Sequence, residues 1–264
     1  MINQVDLSID FVDIRGKNIQ VLKGGEGETL LYLHSAGGET FPLPFHQALA
    51  KHFSLIAPAH PGFDRSTGIE KINDIEDLAF YYVEFLDAMK LDKVNIAGTS
   101  LGGWLAMELA VRWPDRFKKI VLVDAVGIWL TESPMAEMFG LEPSELRELC
   151  FYDPQSEIAQ ALIQDQPSQE MLFLILKGLE TTARLAWNPY LHNPKLHDRL
   201  YRINSPTLII WGEHDKLVPL AYGQALNKAI ANSKLEVIKE CGHMPIFEKI
   251  PEFVELLVNF IKSN

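Results

Sequence analysis

The chain has little cysteine, no long apolar run and too few basic side chains to balance its acids. Only two cysteines, Cys150 and Cys241, occur in 264 residues, and they form no ligand or redox motif. A disulfide scaffold is excluded, and two buried thiols in a reducing compartment are expected. No stretch approaches the roughly 18 uncharged apolar residues of a membrane span. The N-terminal Met1-Ile2-Asn3-Gln4-Val5-Asp6 lacks a basic region followed by an apolar one, so no secretory leader is expected and the protein reads as cytoplasmic. Thirty-five acids against 24 bases leave a net charge of −11. That argues against a nucleic-acid partner, which calls for a basic patch, and against docking on anionic membranes. What is present is ordinary globular composition, 47% apolar and 22% charged, without repeats or low-complexity tracts. The length suits one large α/β domain or a domain carrying an insertion.

Strand and helix signals alternate through the first half. Val5–Ile14 and Asn18–Leu22 read as strands joined at Arg15-Gly16-Lys17. Thr29–Leu33, Phe53–Ala57, Val94–Ala97 and Ile120–Val123 are short apolar runs, the pattern of strands buried on both faces. Asn73–Met89 has helical spacing with Asp74 as N-cap, and Leu101–Arg112 is a second helix. From Gly127 to Leu200 no strand signal appears. Met135–Phe139, Ser144–Phe151, Pro154–Ile163 and Ser168–Ala186 read as helices. Strands resume at Thr207–Trp211 and Leu235–Ile238, with helices at Tyr222–Ile230 and Pro251–Ile261. The expected architecture is an α/β fold with a mostly parallel, doubly wound sheet. Residues 1–126 and 201–264 would form the core, and 127–200 an inserted helical cap.

The sharpest local signal is Gly98-Thr99-Ser100-Leu101-Gly102, a G-x-S-x-G set between a strand and a helix. A serine at so tight a turn is strained and stands clear of the sheet, and small flanking residues let the backbones approach. The competing reading is a glycine-rich turn with Ser100 as a plain helix N-cap. A serine nucleophile needs a base, and the base a carboxylate. His243, in Cys241-Gly242-His243-Met244-Pro245, follows the last strand. Asp215, in Trp211-Gly212-Glu213-His214-Asp215, follows the strand before it. Asp124, at the end of Ile120–Val123, is a rival acid. The oxyanion of acyl transfer needs N–H donors. Leu101 can supply one, and Ala36 in His34-Ser35-Ala36-Gly37-Gly38 the other.

Taken together, these motifs resemble those of α/β-hydrolase-fold enzymes with a helical cap. The resemblance rests on the His34–Gly37 loop, the segment Pro58 to Ser66, the Gly98–Gly102 elbow, Trp211–Asp215 and Gly242-His243. It implies Ser100 as nucleophile, His243 as base, Asp215 as acid, and neither cofactor nor metal. Two departures stand out. Ser35 replaces the first glycine of the usual His-Gly-x-Gly, where its hydroxyl could add a donor. Asp64 replaces a glycine of Pro-Gly-x-Gly-x-Ser, where a local salt bridge or turn hydrogen bond is expected.

A serine nucleophile excludes chemistry that needs a carboxylate nucleophile, such as dehalogenation or epoxide opening at an sp³ carbon. It suits esters, thioesters, lactones, amides, or an activated ketone whose C–C bond breaks. The cap carries Trp129, Met135, Met138, Phe139, Phe151, Met171, Phe173 and Trp187. His34, Ser35, Trp129, Met135, Phe139 and Met244 are the candidate pocket residues. Between Gly127 and Thr182 lie ten acids and two bases, Arg147 and Lys177, which would repel anionic substrates at long range. Arg184 is the one candidate for holding an anion. The expected substrate is a small or medium, mostly apolar, uncharged ester, and the activity carboxylesterase-like. The alternative is a C–C bond hydrolase of a ring-cleavage-type diketone. Those enzymes often carry tryptophan after the histidine, where this chain has Met244. A receptor-like binding module with weak turnover is the third reading. A small-molecule substrate is the expected partner, and the sequence leaves monomer or homodimer open.

Overall fold

The computed structural model describes residues 5–263. The expectation of a leader-free N-terminus rests mostly on residues 1–4, which lie outside that range. The strands are β1 (Leu7–Ile14), β2 (Lys17–Gly24), β3 (Thr29–Leu33), β4 (Ser54–Pro58), β5 (Val94–Thr99), β6 (Phe117–Val123), β7 (Thr207–Gly212) and β8 (Ser233–Ile238). They form one eight-stranded sheet in the order β1-β2-β4-β3-β5-β6-β7-β8. β2 runs antiparallel to β1 and β4, and every pairing from β4 through β3 to β8 is parallel.

The apolar runs are continuous because both faces are covered. Leu31, Leu33, Ile96, Ile120, Leu122, Ile209 and Trp211 point to one face, against α2 (Ile75–Ala88), α3 (Leu101–Arg112) and α7 (Ala221–Ala229). Leu30, Tyr32, Ala97, Val121, Val123, Leu208 and Ile210 point to the other, against α1 (Pro44–Ala50) and α9 (Ile250–Lys262). The period of two within each run sorts its residues between two cores.

Register decides what the sheet can do. Leu33 pairs with Gly98, Gly98 with Leu122, Val123 with Ile210, and Gly212 with Ile238. The carboxyl ends of β3, β5, β6, β7 and β8 therefore lie along one edge, where ligands bind in open α/β sheets. His34, Ser100, Asp124, Asp215 and His243 all leave the sheet there.

Between β6 and β7 lie α4 (Pro143–Cys150), α5 (Glu157–Leu162) and α6 (Gln169–Ala186). Ser168 caps α6 through the Met171 N–H, and Asp74 caps α2 through the Asp77 N–H. One expectation fails in this region. Met135–Phe139 is not helical. It is a short run between Pro134 and Gly140, with no nucleus to sustain a turn. Its backbone is satisfied elsewhere, Ala136 N–H by Leu217 O at 3.0 Å and Met138 N–H by the Tyr190 hydroxyl at 2.9 Å. No strand forms between β6 and β7, as expected, and a single isolated parallel bridge joins Gly127 to His192. The sequence reading had missed α1 and α8 (Pro245–Glu248), both short and both opened by proline. No helix among the described residues is long and apolar enough to cross a membrane.

Candidate active site

The elbow is built by close backbone approach. Ser100 sits at φ 52°, ψ −110°, between β5 and the first residue of α3. A Cβ on Gly98 would lie 2.2 Å from the Gly102 carbonyl oxygen, and one on Gly102 2.1 Å from that of Leu33. Only glycine fits at either position. The plain N-cap reading of Ser100 fails, because its side chain caps nothing in α3. Its Oγ lies 3.0 Å from His243 Nε2 instead.

His243 Nδ1 lies 2.7 Å from Asp215 Oδ2. Asp215 Oδ1 accepts the N–H groups of Leu217 and Val218 at 2.9 and 2.8 Å. All three side chains are buried. The Asp215 carboxylate thus holds the histidine with its proton on Nδ1, which leaves Nε2 free to accept the serine proton. The loops carrying acid and base meet where a Cβ on Gly212 would fall 1.9 Å from the Gly242 oxygen. Glu248, on α8, fixes the histidine loop by accepting Gly242 N–H at 2.9 Å and Tyr152 N–H at 2.8 Å. The His243 N–H donates to Cys150 O at 2.8 Å, joining that loop to the end of α4.

The loop after β3 is locked by a buried acid. Glu39 accepts the Ser35 N–H and the Ser35 hydroxyl, each at 2.7 Å. Ser35 Oγ accepts Gly37 N–H at 2.9 Å, and Ser35 O accepts Gly38 N–H at 3.2 Å. Of the four N–H groups from Ser35 to Gly38, that of Ala36 alone is unused among the described residues, as is the N–H of Leu101. The serine that replaces glycine is therefore a brace, and its hydroxyl is committed to Glu39. Burial pushes the Glu39 carboxyl above the ordinary range, while the Ser35 bonds and the nearby His243 work against that.

His34 is structural. Its Nδ1–H donates to Ser35 O at 2.6 Å, its Nε2 accepts His60 N–H at 2.9 Å, and its ring stacks on His60 at 3.7 Å. Burial pushes His34 down to about 4 and His46 down to about 3, from an ordinary 6.5. Both are neutral when folded but protonate near 6.5 once unfolded. The unfolded chain then binds more protons below that pH, so stability falls as pH drops from about 6.5 toward 4. At about 1.4 kcal/mol per pH unit, each imidazole removes on the order of 3 kcal/mol by pH 4. Denaturant midpoints measured across this window should fall steeply, and His34→Gln should flatten the slope. An unchanged slope in that variant would contradict the assignment.

The remaining candidates scatter. Met135 is buried in the core, and Met244 packs against the core at the start of α8. Trp129 is exposed and lies over His192. Phe139 packs on Trp187 and Tyr190. Arg184 is tied to the Ile72 and Glu70 carbonyls at 2.9 and 3.3 Å. Asp64 sits at φ 43°, which explains the family's glycine, and accepts from Gln20 and Thr40 at 2.6 and 3.1 Å. Lys177 of α6 donates to its backbone oxygen. One residue further on, Gly178 places α6 beside the loop after β3, where a Cβ would lie 3.4 Å from Phe63 and 3.7 Å from Ala36 O.

A family model described as "Alpha/beta hydrolase family" matches residues 30–256. The chain belongs to the α/β hydrolase family. It is 30% identical over 265 residues to a 2-hydroxy-6-oxononadienedioate/2-hydroxy-6-oxononatrienedioate hydrolase of Pseudomonas putida, covering 92% of each chain. A solved meta-cleavage product hydrolase from Pseudomonas fluorescens superposes with TM-score 0.77 at 23% identity, over 96% of this chain and 97% of that one. A thermophilic esterase superposes with TM-score 0.76 at 26% identity, over 97% and 98%. This α/β hydrolase is thus similar both to C–C bond hydrolases and to esterases.

Two site residues of this α/β hydrolase escaped the sequence reading. Glu39 could have been suspected as an acid four residues after a serine within a small, apolar loop. Glu248 was harder to suspect, because beside its Gly242 contact it acts through a fold contact with Tyr152, 96 positions away.

Proposed function

We propose that this α/β hydrolase cleaves a carboxylic ester of a small or medium, mostly apolar, uncharged substrate through an acyl-enzyme on Ser100. The observation that carries the proposal is the Ser100–His243–Asp215 chain, with contacts of 3.0 and 2.7 Å. Ser100 Oγ attacks the carbonyl carbon as its proton passes to His243 Nε2. The tetrahedral oxyanion is met by the N–H groups of Ala36 and Leu101, donors that gain strength as charge develops. Collapse expels the alcohol, protonated by the His243 imidazolium. Water, deprotonated by His243, then releases the acid by the same steps in reverse order. The segment 127–200 acts as a cap over this site.

The charge distribution supports an uncharged substrate. Of the cations between Gly127 and Leu191, Arg147 is bound to Ile163 O and Asp165, Lys177 to Asp64 O, and Arg184 to Ile72 and Glu70 oxygens. Glu39 brings a buried carboxyl close to His243. A substrate carboxylate would meet no uncommitted cation from Gly127 to Leu191 and one nearby acid. The second reading, C–C hydrolysis of a diketone, is favoured by the likeness to the Pseudomonas putida 2-hydroxy-6-oxononadienedioate/2-hydroxy-6-oxononatrienedioate hydrolase.

Steady-state kinetics on short-chain p-nitrophenyl esters and on a 2-hydroxy-6-oxo-dienoate would decide between them. The proposal expects kcat/KM for the ester to exceed that for the dienoate by at least roughly a hundredfold, about 3 kcal/mol of discrimination. A preference for the dienoate would replace the ester reading with the C–C one.

A further inference from the structure

Asp124, the rival acid at the end of β6, is buried beside the catalytic acid and has no role in the steps above. One of its oxygens, one of Asp215 and a ring nitrogen of His243 lie within 4.8 Å of one another. Asp124 Oδ1 accepts the Gly212 N–H at 2.9 Å, bracing the end of β7 from which Asp215 rises. Its Oδ2 is fully enclosed and has no partner among the described residues. A bare carboxylate oxygen in that position would be an unsatisfied buried acceptor facing another carboxylate.

We propose that Asp124 is a protonated carboxylic acid whose Oδ2–H donates to Asp215, forming a buried acid–carboxylate pair that positions Asp215 behind His243. One proton removes both difficulties. It gives Oδ2 a partner, and it cancels one of two like charges too close together to coexist in a buried site. The direction of titration agrees, since burial first and the Asp215 charge second push Asp124 well above the ordinary carboxylate range. The titratable groups facing it are Asp215 after β7, Cys241 and His243 after β8, and Glu248 on α8. None is a standing cation that could neutralise an ionised Asp124. A metal ion does not fit between acid and base, because Asp215 Oδ2 and His243 Nδ1 are already bonded to each other at 2.7 Å.

The pair has a consequence for catalysis. A hydrogen bond donated to Asp215 spreads its negative charge, so Asp215 grips the His243 imidazolium less tightly than a carboxylate without that donor would. Asp124 is thus a positioning residue that acts through Asp215. The idea rests on reading Asp215 and His243 as the acid–base pair, but two of its tests need no turnover.

Asp124→Asn keeps a donor toward Asp215 and an acceptor for Gly212 while removing the titrating proton. Asp124→Ala removes all three. The infrared difference spectrum of wild type minus Asp124→Asn near pH 7 should contain the carbonyl band of a protonated carboxylic acid. Wild type should also lose stability relative to Asp124→Asn as pH rises from 5 to 8. The reason is that a carboxyl protonated only when folded stabilises at low pH and costs more as pH rises. In turnover, Asp124→Ala should shift the acid limb of the kcat/KM profile upward by about half a unit to one unit. Asparagine should restore most of that shift. Absence of the protonated band, together with no relative loss of stability at high pH, would overturn the proposal. If those two hold and the acid limb stays put in Asp124→Ala, the coupling to His243 is overturned. If Asp124→Ala does not fold, the infrared and stability comparisons with Asp124→Asn decide alone.

Discussion

Replacing Ser100 by alanine will lower kcat/KM on a short-chain p-nitrophenyl ester by roughly ten-thousand-fold or more, with little change in thermal stability. The size follows from what one oxygen does here. On the proposed route it is the atom that forms the acyl-enzyme, and with it gone His243 has no hydroxyl to deprotonate at 3.0 Å. What survives is the oxyanion donors and substrate binding, which in triad hydrolases leave a small residue of rate over water. Stability should hold, because the Ser100 side chain makes no cap bond and the elbow is shaped by Gly98 and Gly102. A variant that keeps more than about a tenth of wild-type kcat/KM would show that the hydroxyl is not the nucleophile, since no triad member is so dispensable.

Asp215→Asn will cost nearly as much, roughly a thousand- to ten-thousand-fold in kcat. The Leu217 and Val218 N–H groups fix where the amide oxygen must sit, because only an acceptor satisfies both. The amide NH₂ is then turned toward His243 Nδ1 and asks it to be an acceptor. The ring answers by moving its proton to Nε2, where it faces Ser100 and can no longer take the serine proton. KM should change little, since Asp215 does not touch substrate. The double variant Ser100→Ala/Asp215→Asn should be no slower than Ser100→Ala, because the two act as one device. Additive losses would mean that Asp215 contributes by some route other than His243.

Much of this was legible in the sequence because the chemistry and the fold share residues. Gly98-Thr99-Ser100-Leu101-Gly102 announces both a strand-to-helix turn and a candidate nucleophile, and the glycines prove indispensable through backbone contacts near 2 Å. Asp215 and His243 were legible from chain order and from their position just after strands. The pairing of Gly212 with Ile238, which brings those loops together, is a register fact that no local pattern encodes. Ser35 looked like a possible donor to substrate, whereas its hydroxyl is taken up by Glu39, four residues on, once the loop closes. The pocket candidates were the least legible. Trp129 and Phe139 are aromatic residues of the inserted segment, but composition could not say that their rings pack on His192, Trp187 and Tyr190. Arg184 likewise advertised a charge whose backbone partners come from another part of the chain.

The central claim is that Ser100 is an activated nucleophile, and intact-mass spectrometry with a serine-directed organophosphonate tests it most directly. Wild type should gain the mass of one phosphonyl group per chain near neutral pH, and Ser100→Ala none. Folded wild type that stays unmodified, or an adduct that persists in Ser100→Ala, would contradict the account.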